Sequence, residues 1–98
     1  MSREIIEPQA LSDIKEAAAW YETQCSGLGS EFVWEIDSAI KRVQDNPRFF
    51  PEVYRGVRRV LTKKFPYAIY YLLNEKEIRI LAALHQSRSD ITIASRLS

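Results

Sequence analysis

The spacing of apolar residues changes once along the chain, and this change limits the folds open to it. Between residues 8 and 45 apolar residues recur every three or four positions, the period of a helix that is buried on one side. The two stripes are Leu11, Ile14, Ala18, Tyr21, Cys25 and Leu28, Phe32, Ile36, Ile40, Val43. After residues 46 and 47 that period is lost, and runs rich in β-branched and aromatic residues follow. The pattern therefore predicts helices first and strands afterwards.

The breaks between these segments predict their arrangement. Pro8 begins the first helix, and the SGLGS turn of residues 26 to 30 separates it from the second, which favours an antiparallel helical hairpin. Residues 48 to 56 show no period and are predicted to be a loop. The predicted strands are Arg3 to Glu7, Val57 to Thr62, Tyr67 to Leu73 and Glu77 to His85. The expected fold class is α+β, with an N-terminal strand, the hairpin and a three-stranded antiparallel meander forming one sheet.

The alternation of side chains in the last strand predicts which face of the sheet is functional. Ile78, Ile80, Ala82 and Leu84 are expected to face the helices, and Arg79, Leu81, Ala83 and His85 to face the other way. A face that carries arginine and histidine is expected to be exposed, which makes it the predicted working surface. The polar tail after Ser87 is expected to be either a loose end or a flap over the sheet.

Length and composition favour one small globular protein. Ninety-eight residues fit a single domain spanning residues 1–98, and 46% apolar with 28% charged residues argues against disorder. A lone cysteine, Cys25, excludes an internal disulfide and suits a reducing cytosol, and it is expected to be inert core. No apolar run approaches the length of a membrane span, so a cytoplasmic protein without membrane contact is expected. One histidine and one cysteine cannot build a zinc site and no glycine-rich phosphate loop is present, so we expect no metal and no cofactor.

Positive charge is concentrated in the second half of the chain. Residues 55 to 64, RGVRRVLTKK, carry five basic groups and no acid, although the net charge of the whole chain is only +1. Arg58, Arg59, Lys63 and Lys64 therefore form a candidate contact for phosphate or for an acidic protein. Strand alternation allows only one of the two arginines on the exposed face. A third interpretation is that these cations protect an exposed sheet edge from pairing with other strands.

Four segments follow one another along the chain: EAAAWYETQCSGLGSEF, IDSAIKRVQDNPRFFPEV, GVRRVLTKKFPYAIYYLL and IRILAALHQSRSD. In content and order they resemble the RelE/ParE superfamily of toxins from type II toxin-antitoxin systems, and they are most similar to its plasmid-stabilisation, ParE-leaning branch. The resemblance implies a protein that inhibits growth when free and is neutralised by a cognate antitoxin in a hetero-oligomer. Its implied target is DNA gyrase, without enzymatic activity; the alternatives are a RelE-like, ribosome-dependent mRNA endonuclease or a member that has lost its toxicity.

The nuclease alternative assigns roles to particular residues. Alignment with mRNA-cleaving relatives places their catalytic arginine on Arg59 and their loop glutamate on Glu52. His85, the only histidine, can exchange a proton near neutral pH, but the corresponding catalytic residue of those relatives lies at the end of the chain. Arg88 flanks the same strand end and joins Arg58, Lys63 and Lys64 as a candidate target or nucleic-acid contact.

Overall fold

The computed structural model describes residues 3–97, except for the side chains of residues 88–90. In chain order the elements are β1 (Arg3–Ile6), α1 (Pro8–Gln24), α2 (Leu28–Asp45), β2 (Glu52–Tyr54), β3 (Val57–Leu61), β4 (Tyr67–Leu73), β5 (Glu77–His85), a 3-10 turn (Gln86–Arg88) and α3 (Ser89–Leu97). The predicted α+β class, the helical hairpin and the three-stranded meander are confirmed. Two details were not predicted, since the expected loop of residues 48 to 56 contains β2 and the tail forms α3.

All five strands form one sheet in the order β1-β5-β4-β3-β2. Strands β2 to β5 are antiparallel neighbours, whereas β1 pairs in parallel with the first half of β5. Parallel pairing requires a crossover connection, and the α1/α2 hairpin is part of it. We call the side of the sheet that contacts α1 and α2 the helix face, and the other side the outer face.

The turn between α1 and α2 is held by a carboxylate. Gly27 adopts a left-handed conformation with φ of 90°, and a Cβ atom on Gly29 would lie 2.7 Å from the carbonyl oxygen of Ala18. The Glu22 side chain accepts hydrogen bonds from the backbone N–H groups of Gly27 and Gly29, both at 2.9 Å. These two bonds lower the pKa of Glu22. Gly27 is therefore favoured by the left-handed backbone of the turn, and Gly29 by the close packing of the two helices.

The larger core lies between the helical hairpin and the helix face. Its aromatic centre is Phe32, which lies 5.3 Å from Phe65 and 4.9 Å from Tyr67, centroid to centroid, in edge-to-face geometry. Around these rings are fully buried aliphatic residues of both helices and three strands. The prediction for Cys25 is wrong, because this thiol is exposed at the end of α1.

A β-bulge in β5 changes which side chains face the helices. The neighbouring residues Tyr70 and Tyr71 pair with positions 82 and 80 of β5, so Leu81 has no partner on β4. An extra residue in a strand reverses the alternation beyond it. The faces predicted up to Ile80 are therefore correct.

Beyond the bulge the predicted faces are wrong. Ala82 and Leu84 belong to a core on the outer face, whereas Ala83 packs against the helices. His85 pairs with Tyr67 and so also lies on the helix face. The sequence offered no sign of the bulge, because Leu81 is followed by two alanines, Ala82 and Ala83, that suit either face.

The second core covers the middle of the outer face. It consists of Val57, Ala68, Tyr70, Ala82, Leu84 and Ile93, with Val53, Tyr54 and Leu81 packed against it. Ile93 comes from α3, which therefore lies on the sheet as the flap that was one of the two expectations for the tail. The predicted exposed working surface is thus limited to the margins of this face, where Leu61 and Leu72 are 44% and 36% exposed.

An ion pair fastens α3 across the edge of β5. Strand β1 pairs with β5 only as far as Ile80, and the N–H group of Ala83 is instead satisfied by the Asp13 carboxylate of α1 at 3.0 Å. The same carboxylate accepts two hydrogen bonds of 2.7 Å from Arg96 of α3, and these bonds raise the pKa of Arg96. The Asp13 side chain is only 7% exposed.

Within residues 3–97 no helix combines the length and the apolar character that a membrane crossing requires.

Candidate functional site

Arg58 and Arg59 lie on opposite faces of the sheet. Arg58 pairs with Tyr71, a residue of the larger core, so its side chain is on the helix face. Arg59 pairs with Tyr70, which belongs to the second core, so its side chain is on the outer face. Directly opposed residues of antiparallel strands share a face. Of the two candidate arginines, Arg59 is therefore the one on the predicted functional side.

Arg58 holds the turn that follows α2. Its guanidinium donates to the carbonyl oxygens of Arg48 at 3.2 Å and Phe50 at 2.6 Å. The hydroxyl of Tyr71 donates to the carbonyl of Pro47 at 2.7 Å in the same region. Burial raises the pKa of Tyr71, and the positive charge of Arg58 offsets part of that rise. Residues 47 to 50 are thus fixed against the sheet by two side chains.

Glu52 stabilises the tight β2–β3 connection. Its carboxylate accepts a hydrogen bond of 3.1 Å from the backbone N–H of Gly56. Gly56 and its neighbour Arg55 both have positive φ, 84° and 41°, which is uncommon for a residue with a side chain. The Arg55 guanidinium lies over the Tyr54 ring, 5.5 Å from its centroid, in a cation–π contact.

The two lysines lie at the other end of β3, close to α2. The backbone N–H groups of Lys63 and Lys64 both donate to the Glu35 carboxylate at 3.2 Å. The ammonium of Lys64 forms a 3.2 Å ion pair with Glu31. The loop after β3 therefore places both lysines next to carboxylates of α2, and these carboxylates reduce the positive potential of the lysine pair.

His85 lies at the end of β5, near α1. Its ring lies 5.5 Å from the Tyr67 ring, and its Nδ1 atom accepts a hydrogen bond of 3.1 Å from the backbone N–H of Ser87. A backbone N–H can only donate, so in the neutral ring the proton is on Nε2. Arg88, the other candidate at this strand end, has a side chain outside the described residues.

The cleft beside His85 is not a cationic site. It has a volume of about 410 Å³ and lies between α1, the end of β5 and α3. Its other ionisable groups are Asp13, Glu16 and Arg96, of which Asp13 and Arg96 are paired with each other. With the imidazole neutral, the lining carries one more negative charge than positive, which does not favour a phosphate.

The structure does not bring the predicted nuclease residues together. Arg59 and His85 lie on the two strands that flank β4, and their partners on β4 are three residues apart, so their backbones are roughly 14 Å apart. Their side chains are on opposite faces of the sheet. Glu52 is on β2, and its carboxylate accepts a hydrogen bond from Gly56 in the β2–β3 turn. Lys63 and Lys64 lie beyond the far end of β3.

Basic and aromatic residues that were not predicted as candidates are exposed near β2, the strand at one edge of the sheet. Arg48, Phe49 and Arg55 are exposed on the turn before β2 and at the β2–β3 connection, and Arg59 lies on the adjoining strand. Arg48 and Phe49 belong to the turn that Arg58 and Tyr71 hold on the helix face, whereas the Arg59 side chain is on the outer face. Arg48, Phe49 and Arg55 were not predicted as candidates, because residues 48 to 56 lack a period. The sequence RFFPEVYRG, with aromatic and basic residues interleaved, was the available signal.

The fold and the sequence together define the class of protein. The sequence model of the family described as the ParE toxin of the type II toxin-antitoxin system parDE matches residues 5–90. The chain therefore belongs to the ParE toxin family, which confirms the resemblance noted in the sequence.

The fold is also found in a solved structure. A chain from the chromosomal ParDE toxin-antitoxin system of P. aeruginosa is similar to this one with a TM-score of 0.64 and 16% sequence identity. The similarity covers 87% of this chain and 96% of that chain. At this identity the comparison shows a common fold. No curated protein matched the sequence significantly.

Proposed function

We propose that this protein is the toxin of a type II toxin-antitoxin system, that it acts on DNA gyrase in the cytoplasm, and that a cognate antitoxin neutralises it. The observation that carries the proposal is the match of the ParE family over residues 5–90. In this view residues 1–98 act as one toxin domain. The protein inhibits growth by binding its target, without a chemical step of its own.

The separation of Arg59 from His85 favours this mechanism over mRNA cleavage. An endonuclease of this kind needs a base, an acid and a cation around one phosphate, within hydrogen-bond reach of the reacting atoms. Here the cation and the imidazole are on opposite faces of the sheet. Glu52 belongs to neither site, because its carboxylate accepts a hydrogen bond from the Gly56 N–H.

The margins of the outer face support antitoxin binding. Leu61 and Leu72 are exposed there, and Arg59 lies on the same face. Apolar anchors supply affinity at an interface, and complementary charge supplies orientation and a fast encounter. A partner segment with apolar side chains and carboxylates fits this surface, and it would cover the arginine while the complex persists.

Gyrase assays test the proposal directly. Purified protein is titrated into supercoiling and DNA-cleavage reactions, and we expect loss of supercoiling and accumulation of cleaved DNA. The control is the same titration after preincubation with the protein encoded beside the toxin gene, which should restore supercoiling. Unchanged gyrase activity at saturating protein would contradict the proposal.

Growth and ribosome assays separate the alternatives. Induction of the gene without its neighbour should arrest growth, and normal growth despite soluble protein would identify a member that has lost toxicity. Toeprinting on translating ribosomes should show intact messages. Codon-positioned cuts would instead identify a ribosome-dependent endonuclease.

A further inference from the structure

We propose that the cleft beside His85 receives a basic side chain, arginine or lysine, from a segment of a partner protein. The cleft of about 410 Å³ adjoins a second cavity of about 570 Å³. Trp20, Tyr67 and His85 line both cavities, so they form one wall that extends from α1 to the ends of β4 and β5. Cavities of this size accommodate a long side chain.

The shared wall is aromatic, and one of its rings is largely exposed. Trp20 is 58% exposed, although burial of an aromatic residue is strongly favourable. Its ring meets the Tyr21 ring edge-on, with centroids 5.1 Å apart. Tyr67 follows at 6.1 Å from Tyr21, and His85 at 5.5 Å from Tyr67. The face of an exposed indole attracts a cation through its π electrons.

A carboxylate lies beside the exposed indole. Glu16 and Trp20 are four residues apart on α1, so they lie on the same side of the helix, with Cβ atoms about 5–6 Å apart. Both line the cleft. Asp13 and Arg96, which also line it, are bonded to each other. Glu16 forms no ion pair with any residue that the structure describes, so it supplies the net negative charge of the described lining.

An indole face next to a carboxylate favours a cation on an alkyl stem. A guanidinium group can stack on the indole and donate two parallel hydrogen bonds to Glu16, whereas an ammonium group acts there as a point charge. The alkyl part of either side chain can pack along the aromatic rings. The neutral imidazole of His85 adds no positive charge that would repel the ligand. The same net charge disfavours phosphate and carboxylate ligands.

The other exposed tryptophan has different surroundings. Trp34 is 64% exposed and lines a cavity of α2 that also involves Glu4 of β1. Lys41 lines that cavity as well, and the Glu4 carboxylate already accepts a hydrogen bond of 2.6 Å from Gln44. A cation is therefore already present beside this indole, which makes Trp34 a matched control for Trp20.

A titration followed by NMR tests the inference. The ligand is a capped peptide with one arginine between glycines, and its control carries citrulline, which has the same shape without the charge. In the ¹⁵N-labelled protein we expect the indole N–H signal of Trp20 to shift with the arginine peptide and not with the citrulline peptide. The indole signal of Trp34 should stay in place. Added salt should weaken the binding, because the cation is attracted by a carboxylate near the surface.

Variants separate the ring from the charge. Trp20→Ala should weaken binding of the arginine peptide about tenfold, whereas Trp20→Phe, which keeps an aromatic face, should retain most of the affinity. Glu16→Gln should weaken it about fivefold and remove most of the salt dependence. Glu75→Gln removes an exposed carboxylate at the β4–β5 turn and should bind as wild type does. Amide signals of residues 83 to 87 report binding in every variant, and circular dichroism confirms folding.

Three outcomes would overturn the inference. They are equal binding of the arginine and citrulline peptides, an affinity that neither Trp20→Ala nor Glu16→Gln changes, and tighter binding of free propylguanidinium than of the peptide, which would assign the cleft to a small cation. The action on gyrase is a separate matter. Protein that inhibits gyrase without binding the arginine peptide would refute only this inference, and protein that binds the peptide without affecting gyrase would refute only the proposed function.

Discussion

Asp13 and Arg96 connect the first and last helices through two parallel hydrogen bonds of 2.7 Å, and the same carboxylate accepts the N–H of Ala83. Beyond the last residue of β1, Asp13 supplies the acceptor for a backbone N–H of β5. Arg96 then binds α3 to the same carboxylate. Because Asp13 is buried, removing its partner leaves a largely unpaired charge in the protein interior.

We expect Arg96→Gln to lower the free energy of unfolding by about 3 kcal/mol, the cost of breaking a mostly buried ion pair. Asp13→Asn should cost less, since its amide oxygen still accepts the Ala83 N–H and the Arg96 side chain that loses its partner is 25% exposed, against 7% for Asp13. Urea denaturation measures both. The expectation fails if Arg96→Gln costs less than about 1 kcal/mol, the range of a surface pair.

The two isoleucines of α3 form a matched pair. Ile93 is 1% exposed and belongs to the second core, whereas Ile91 is 83% exposed. Ile93→Ala should cost about 2–4 kcal/mol because it leaves a cavity over the sheet. Ile91→Ala should change stability by no more than about 0.5 kcal/mol. Similar effects of the two substitutions would show that α3 does not pack as described.

Gly27 and Gly29, in the turn between α1 and α2, allow a second matched pair of substitutions. Gly29→Ala places a methyl group against the Ala18 carbonyl and should cost about 2 kcal/mol, as expected for overpacking. Gly27→Ala has open space around it, so only the left-handed backbone opposes it, at about 1 kcal/mol. Thermal denaturation ranks the two, and a larger effect at Gly27 would contradict the packing argument.

Glu22 should make part of the stability depend on pH. Hydrogen bonds from Gly27 and Gly29 lower its pKa in the folded state from the ordinary value of 4.5. A carboxyl group with a lowered folded pKa contributes stability above its unfolded pKa and loses this contribution as the pH falls through the folded pKa. The difference in melting temperature between wild type and Glu22→Gln should therefore be constant near neutrality and shrink below pH 4.5. A difference that is unchanged in acid would refute this assignment.

Arg58 and Arg55 should differ in their effect on stability. Arg58→Gln removes two hydrogen bonds to backbone carbonyls and should cost about 2 kcal/mol. Arg55→Gln removes one exposed cation–π contact and should cost no more than about 1 kcal/mol. Hydrogen exchange should also be faster in the turn of residues 47 to 50 in the Arg58 variant only. Equal exchange in both variants would contradict the role of Arg58.

Periodicity was sufficient for α1, α2 and strands β3 to β5, because each of them buries one regular stripe or face, but it predicted neither β2 nor α3. Val57 to Leu61 and the two strands after it begin and end within one residue of their predicted bounds. The bulge at Leu81 was not predictable, since it depends on pairing with β4 and not on local sequence. Because the bulge was not predicted, His85 was expected on the face away from the helices, whereas it lies on the helix face. His85 therefore does not join Arg59 in one site.

The location of the arginines shows a second limit of sequence reasoning. Five basic groups between residues 55 and 64 suggested one patch. In the structure, Glu31 and Glu35 of α2 neutralise the lysine end, and Arg58 turns inwards to the backbone of the preceding turn. These partners come from segments that are distant in the sequence. The number of basic residues between positions 55 and 64 therefore overestimated the positive charge that they present together.

The parallel pairing of β1 with β5 also determines when the protein can finish folding during synthesis. Arg3–Ile6 has no strand partner until residues 77 to 80 have left the ribosome. Such distant contacts are slow to form because a long loop must close first. The sheet of the nascent chain therefore stays incomplete until residues 77 to 80 have been translated.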